Sequence, residues 1–195
     1  MEITSVCVFC GSRPGANPAY AEAARTLGRE VAARGIRLVY GGGSVGLMET
    51  VAQSTLDAGG EVLGVITRAL VEREVAKTEL NELRVVETMH ERKAQMADAS
   101  DGFIMLPGGF GTLDEFFEAL TWTQLGIHTK PCGVLDVADY FDPLRSFIDG
   151  ATTEHFVSGS HRALVQFASS PGELLDLLAG WTPSGATKWL DRGDA

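Results

Sequence analysis

Two clusters in this chain have residue types suited to handling an anion. Pro107-Gly108-Gly109-Phe110-Gly111-Thr112 is a glycine turn, and Leu113-Asp114-Glu115 follows it with two carboxylates. Upstream, Arg92 and Lys93 set two cations side by side between Met89 and Met96. Glycines let a backbone approach a ligand closely. A helix that starts at such a turn aims free N–H groups and the positive end of its dipole at one spot. That is an anion site. A carboxylate beside it does different work, as a base or as the stabiliser of a developing cation. Glu115 falls in the first turn of the predicted helix, where the dipole keeps it and Asp114 ionised, which suits a base and not a general acid. The same four residues also fit a plainer description. Thr112-Leu113-Asp114-Glu115 matches the S/T-x-x-E capping box, in which Glu115 closes back on the helix N-terminus.

The segment MHERKAQMADAS bears on that choice. At helical spacing, Glu91, Gln95 and Asp98 share a solvated face. Met89, Lys93 and Met96 share the opposite one, with Arg92 flanking it. Cations directed inward need an anion or a carboxylate as partner. Glu115 is the candidate partner of Arg92; the alternative is a pair of snorkelling stems at a helix edge.

The elements that must position these residues alternate along the chain. Apolar runs at 3–10, 36–40, 61–67, 83–87, 102–106, 132–135 and 163–167 read as strands. Helices are expected from Pro18 to the stop at Gly35, over 45–58, 88–99, 112–124 and 140–150, and from Pro171 to 179. Asn17 is placed to cap the first of them. This order predicts an α/β, Rossmann-like doubly wound, mainly parallel sheet with helices on both faces. Residues 1–181 form its single domain. Residues 182–195 form a polar tail on which Trp189 and Leu190 are placed to dock. In such sheets ligands sit beyond the carboxyl ends of the strands, where strand order reverses. Glycine-rich turns follow Cys10, Tyr40 and Leu106, so Gly11-Ser12 and Gly42-Gly43 are expected to meet the Gly108–Thr112 turn at that edge. The stretch 68–82 is charged, aperiodic and long for a connection, which marks it as functional.

Bulk properties narrow the function. The chain has 195 residues, 45% hydrophobic and 22% charged, and a net charge of −10. That acidity argues against a nucleic-acid surface, which needs a basic face, though a small phosphorylated ligand needs only a few local donors. No apolar run reaches membrane-spanning length and MEITSV has no basic leader, so no membrane association and a cytoplasmic location are expected. Cys7 and Cys10 form C-x-x-C, but positions three apart on a strand face opposite ways, and Cys132 stands alone. Buried thiols are expected rather than a metal or redox pair. The four histidines show no metal-ligand spacing, and the reading calls for no metal and no cofactor. The first turn lacks G-x-G-x-x-G, GGGSVG lacks the Lys-Ser/Thr of a Walker A loop, and no G-x-S-x-G follows a strand. No lysine stands in a context suited to a pyridoxal phosphate decarboxylase. Phe116, Phe117, Leu120 and Trp122 are too many large apolar groups for one helix face, and some are expected to meet a second subunit.

With these residues assembled, the chain resembles the Lonely Guy family, the cytokinin riboside 5′-monophosphate phosphoribohydrolases, often labelled lysine decarboxylases. The family pattern P-G-G-x-G-T-x-x-E is met by Pro107–Glu115, and M-x-x-R-K-x-x-M by Met89, Arg92, Lys93 and Met96. CVFCGS, YGGGSVGLM and LTWTQLGIHTKP are similar to the family as well. The resemblance implies a Rossmann-like homodimer that cleaves the N-glycosidic bond of an N6-substituted adenosine 5′-monophosphate. It implies that Glu115 and Arg92 are the catalytic pair. Gly108, Gly109, Gly111 and Thr112 then form the phosphate turn, Phe110 and Leu113 bind substrate beside it, and Lys93, Asp114, Thr121 and Glu74 contact the nucleotide or line its pocket. Its runner-up is an AMP nucleosidase of broader specificity; a non-catalytic nucleotide or cofactor carrier stands further off. Two departures border the cleft: Glu49 where the family has glycine, and Arg13 where it often has serine.

Overall fold

A computed structural model describes residues 2–73 and 76–183. Trp189 and Leu190 of the expected tail, and Glu74, lie outside the described residues. The order along the chain is β1 (Ser5–Phe9), α1 (Pro18–Ala33), β2 (Arg37–Tyr40), α2 (Gly46–Asp57), β3 (Val62–Thr67), α3 (Arg68–Val71), β4 (Glu82–Val86), α4 (Met89–Asp98), β5 (Gly102–Met105), α5 (Phe110–Gln124), β6 (Cys132–Leu135), α6 (Asp142–Thr153), α7 (Gly159–Arg162), β7 (Val165–Ala168) and α8 (Pro171–Gly180). The seven strands form one sheet in the order β4-β3-β2-β1-β5-β6-β7, and every pairing between them is parallel. The sequence predicts a mainly parallel sheet; the pairing of named strands is wholly so.

Alternation along the central strands builds a core on each face. Val6, Val8 and Cys10 join Leu38, Tyr40 and Ile104 beneath α1, α2 and α8. Cys7 and Phe9 join Val39, Phe103 and Met105 beneath α4 and α5. The C-x-x-C motif is thereby split between the two faces. Both thiols are fully buried and free, and burial pushes each well up, so the pair is structural. Helix starts follow the expected chemistry. Asn17 Oδ1 accepts from Ala19 N at 3.0 Å, and Gly35 (φ +66°) ends the first helix in the left-handed region.

Two short helices, α3 and α7, go beyond the expected elements. Each is four residues behind a Thr or Ser cap, Thr67 and Ser158, too short to show a period. The third correction concerns α5. It starts at Phe110 with Gly109 as N-cap, so Thr112 lies inside the helix and Glu115 in its second turn. The Thr112–Glu115 capping box therefore does not form. The one that does is Thr88 with Glu91, at the start of α4.

Strand order places the site. The chain lays down β1 to β4 in one direction, returns to the far side of β1 with β5, and continues to β7. The switch point is the β1/β5 boundary, where the turns after Phe9 and Met105 lie side by side. Gly11 N donates to Pro107 O at 3.0 Å, and Leu47 N donates to Gly11 O at 3.0 Å. Gly46 (φ +60°) closes the third side, since a Cβ there would sit 2.3 Å from the carbonyl carbon of Ser12. The turns after β1 and β5 thus meet by direct backbone contact, and the turn after β2 joins them through Gly46 and Leu47 rather than through the expected Gly42 and Gly43.

Candidate active site

Arg92 enters the site from α4 and is buried, with 8% of its side chain exposed. Each part of the guanidinium is engaged. Nε donates to Val65 O at 3.0 Å, Nη2 to Gly41 O at 3.1 Å, and Nη1 to Glu115 Oε1 at 2.9 Å. The planar fork is well suited to this, because its donors point in fixed directions. Gly41 is glycine for a specific reason: a Cβ there would lie 2.0 Å from Arg92 Nη2. Gly41 belongs to the site, yet the sequence singles out its neighbours Gly42 and Gly43. Only its place at the end of a strand distinguishes it from them.

Glu115 faces Arg92 from α5, with 12% of its side chain exposed. Its carboxyl lies above its ordinary range because burial penalises the charge, and burial outweighs the opposing pull of Arg92. This reverses the expectation that a helix dipole simply holds it ionised: Glu115 sits one turn too deep and too far from water. The result is a carboxylate shifted toward the range of a general base and held in one orientation by a fixed cation.

The glycine turn lies just before it. Thr112 is buried against Gly108, where a Cβ would meet Thr112 Oγ1 at 2.1 Å. Gly109 and Gly111 have open space at the same test, which leaves the approach to the α5 N-terminus clear. Phe110 projects from the turn, 93% exposed, while Leu113 turns inward against the second core. A cavity of ≈ 280 Å³ opens at the switch point, lined by Gly11, Ser12, Arg13, Tyr20, Leu47, Gly108, Gly109 and Tyr140. Tyr140 OH donates to Gly108 O at 2.6 Å, and its ring meets Tyr20 edge-on. Both tyrosines escape a reading of the sequence because they stand on elements far from any motif.

The other expected site residues divide. Lys93 lies beside Arg92 on α4, but its ammonium is taken up by Asp114 Oδ2 at 3.1 Å and Glu118 Oε2 at 2.9 Å. Burial alone would lower its pKa; hydrogen bonds to Glu118 and Asp114 outweigh this and raise it. Gly42 and Gly43 are buried behind Gly41 and do not line the cavity. Thr121 is exposed further along α5, in an apolar groove with Phe117, Leu120, Phe147 and Val157, away from the glycine turn. Among the described residues, no helix is long and apolar enough to cross a membrane.

Comparisons with known proteins identify the relatives of this chain. A family model described as "Possible lysine decarboxylase" matches residues 48–178. A probable cytokinin riboside 5′-monophosphate phosphoribohydrolase of Oryza sativa subsp. japonica is 50% identical over 178 residues, 91% of this chain and 71% of that protein. A cytokinin riboside 5′-monophosphate phosphoribohydrolase of Arabidopsis thaliana is 48% identical over 187 residues, 94% of this chain and 88% of that protein. Among solved structures, the molybdenum cofactor binding protein of Rippkaea orientalis superposes with a TM-score of 0.68 at 24% identity, covering 91% of this chain and 96% of that one. The molybdenum cofactor carrier protein of Chlamydomonas reinhardtii gives 0.67 at 18% identity, covering 90% and 95%. At these identities the two structures speak for the fold alone.

Proposed function

We infer the function from kinship and site together: this chain belongs to the Lonely Guy family, that of the phosphoribohydrolases matched above. It is an N-glycosidase that hydrolyses cytokinin riboside 5′-monophosphates, N6-substituted adenosine 5′-monophosphates, to the free base and ribose 5-phosphate. The observation that carries the reading is the buried Arg92–Glu115 pair, 2.9 Å apart, directly behind the glycine turn. Breaking a glycosidic bond builds positive charge on the ribose ring. Glu115 stabilises that charge and takes a proton from the attacking water, while Arg92 keeps its carboxylate aimed. Gly108 to Thr112, at the α5 N-terminus, hold the 5′-phosphate, and that remote binding positions the sugar. Phe110, Leu113, Asp114 and Lys93 frame the turn. The protein acts in the cytoplasm as a homodimer, without nucleic acid, and the apolar groove around Thr121 with its exposed Phe147 supports the second subunit. Residues 1–181 make up the single hydrolase domain and 182–195 its polar C-terminal tail.

The test is to incubate the purified protein with AMP, N6-isopentenyl-AMP and the two corresponding nucleosides, and to separate the products by chromatography. Free base from the monophosphates, fastest from the N6-substituted one, is the expected result. Base from AMP at an equal rate indicates a general AMP nucleosidase. No base from any of the four overturns the assignment in favour of a carrier. Equal release from nucleosides overturns the phosphate role of the turn.

A further inference from the structure

Lys77 is a lysine with 8% of its side chain exposed, in a stretch that sequence periodicity leaves unstructured. A buried ammonium is costly unless fully paired, and this one is paired twice, to Glu49 Oε1 at 2.8 Å and Gln53 Oε1 at 2.6 Å, both on α2. Its own backbone does something else. Lys77 N donates to Gly42 O at 3.2 Å, and Ala76 forms an antiparallel bridge with Gly43. The stretch is tied down further along by Asn81 Oδ1, which accepts from Val62 N at 2.8 Å. Gly41-Gly42-Gly43 therefore lies between two holds. On one side Gly41 O accepts from Arg92; on the other, Gly42 and Gly43 are pinned by Ala76 and Lys77. Three consecutive glycines have the greatest backbone freedom of any tripeptide, and Gly42 (φ +73°) uses it. Such a loop cannot hold a guanidinium in place by its own stiffness. Glu49 supplies the charge that lets Lys77 be buried there.

We propose that Lys77 is a positioning residue: clamped to Glu49 and Gln53, it fixes the Gly41–Gly43 loop so that Gly41 O holds Arg92 against Glu115. The proposal deepens the phosphoribohydrolase reading and rests on it. Lys77→Met lowers kcat for base release from N6-isopentenyl-AMP about tenfold while KM stays within twofold, and Lys77→Arg restores most of the loss. Two measurements need no catalysis. Amide exchange at Gly42, Gly43 and Ser44 quickens about tenfold in Lys77→Met. The Glu115 carboxyl, followed by carbon NMR, titrates at higher pH as Arg92 loosens. The charged and titratable groups around that carboxyl are Arg92 and Lys93 from α4, Asp114 and Glu118 from α5, Cys7 from β1 and Cys10 just after it; Lys77→Met leaves each of them in the chain. If Lys77→Met does not fold, Glu49→Gln is read in the same three ways. A lowered Tm with kcat, exchange and titration all unchanged overturns the proposal. A wild-type protein that releases no base refutes the functional reading instead, and exchange and titration still decide the clamp.

Discussion

Helices α4 and α5 face each other through two sets of ion pairs one residue apart, and the two behave differently. Arg92 meets Glu115 with both side chains nearly out of water, and two backbone carbonyls complete the cation's hydrogen bonding. Lys93 meets Asp114, which is 63% exposed, and Glu118 at the helix surface. The charges in sequence are almost interchangeable: Arg-Lys on one helix, Asp-Glu on the other. Depth decides what they become. Where water is excluded, desolvation dominates and lifts Glu115 above its ordinary range despite the adjacent cation. Around Lys93, itself only 12% exposed, the two more exposed carboxylates win instead, and the ammonium is held more firmly protonated. The inner pair stores a reactive carboxylate; the outer set joins two helices.

Removing the inner carboxylate tests this most severely. Glu115→Gln keeps the shape and the Arg92 contact but removes the base, and about a thousandfold loss of kcat is expected from general-base magnitudes. A rate within tenfold of wild type, measured by base release, would break the division of labour. Arg92→Ala removes activity to a similar degree and also weakens the fold. It orphans Val65 O, Gly41 O and a buried carboxylate, for which breaking a buried pair costs about 3–5 kcal/mol. Urea unfolding with an unchanged m-value reads that loss.

Much of this was legible in the sequence, and the misses have physical causes. Glycine punctuation and apolar runs foretold all seven strands, because a doubly covered parallel sheet writes them as continuous buried stretches. Helical spacing puts Arg92 beside the inward face and leaves snorkelling as the alternative; the structure buries it. The start of α5 was not legible, because Thr112-x-x-Glu115 is a valid capping signal and only the packing of Thr112 against Gly108 excludes it. Gly41 was hidden because a guanidinium arriving from residue 92 leaves no local trace. The tethers on 76–81 were hidden likewise: Lys77 finds Glu49 across 28 positions.

Two smaller effects sharpen the contrast. Gly41→Ala puts a methyl where Arg92 Nη2 sits, so the guanidinium must shift by about an ångström, and misplacement of that size costs about a hundredfold in kcat. Unchanged kinetics would show that the site tolerates a shifted Arg92 guanidinium. The pH dependence of stability follows from the raised pKa of Glu115. A carboxyl that binds its proton more tightly when folded stabilises the fold at low pH, and that contribution is lost as pH rises through its folded value. Glu115→Gln removes the loss. The Tm of the variant minus that of the wild type should therefore be larger at pH 7 than at pH 4; the opposite slope would mean that Arg92, not burial, governs the group.

The smallest effect belongs to the outer set. Lys93→Met keeps the apolar stem that lies along α4 and removes only the ammonium. Lys93 itself is only 12% exposed, but its partners Asp114 and Glu118 are 63% and 27% exposed and water screens them, so stability should fall by about 1 kcal/mol, with the difference shrinking in added salt. With the ammonium held by Asp114 and Glu118, the contribution proposed for Lys93 is through the field it adds near the glycine turn. KM for the monophosphate should then rise by a few-fold with kcat nearly constant. A fall in kcat to match that of Arg92→Ala would place Lys93 on the reacting sugar, and would mean that substrate draws it away from both carboxylates. Steady-state kinetics at two ionic strengths separates these outcomes, because a lysine acting through its field loses influence as salt is added, whereas one in direct contact does not.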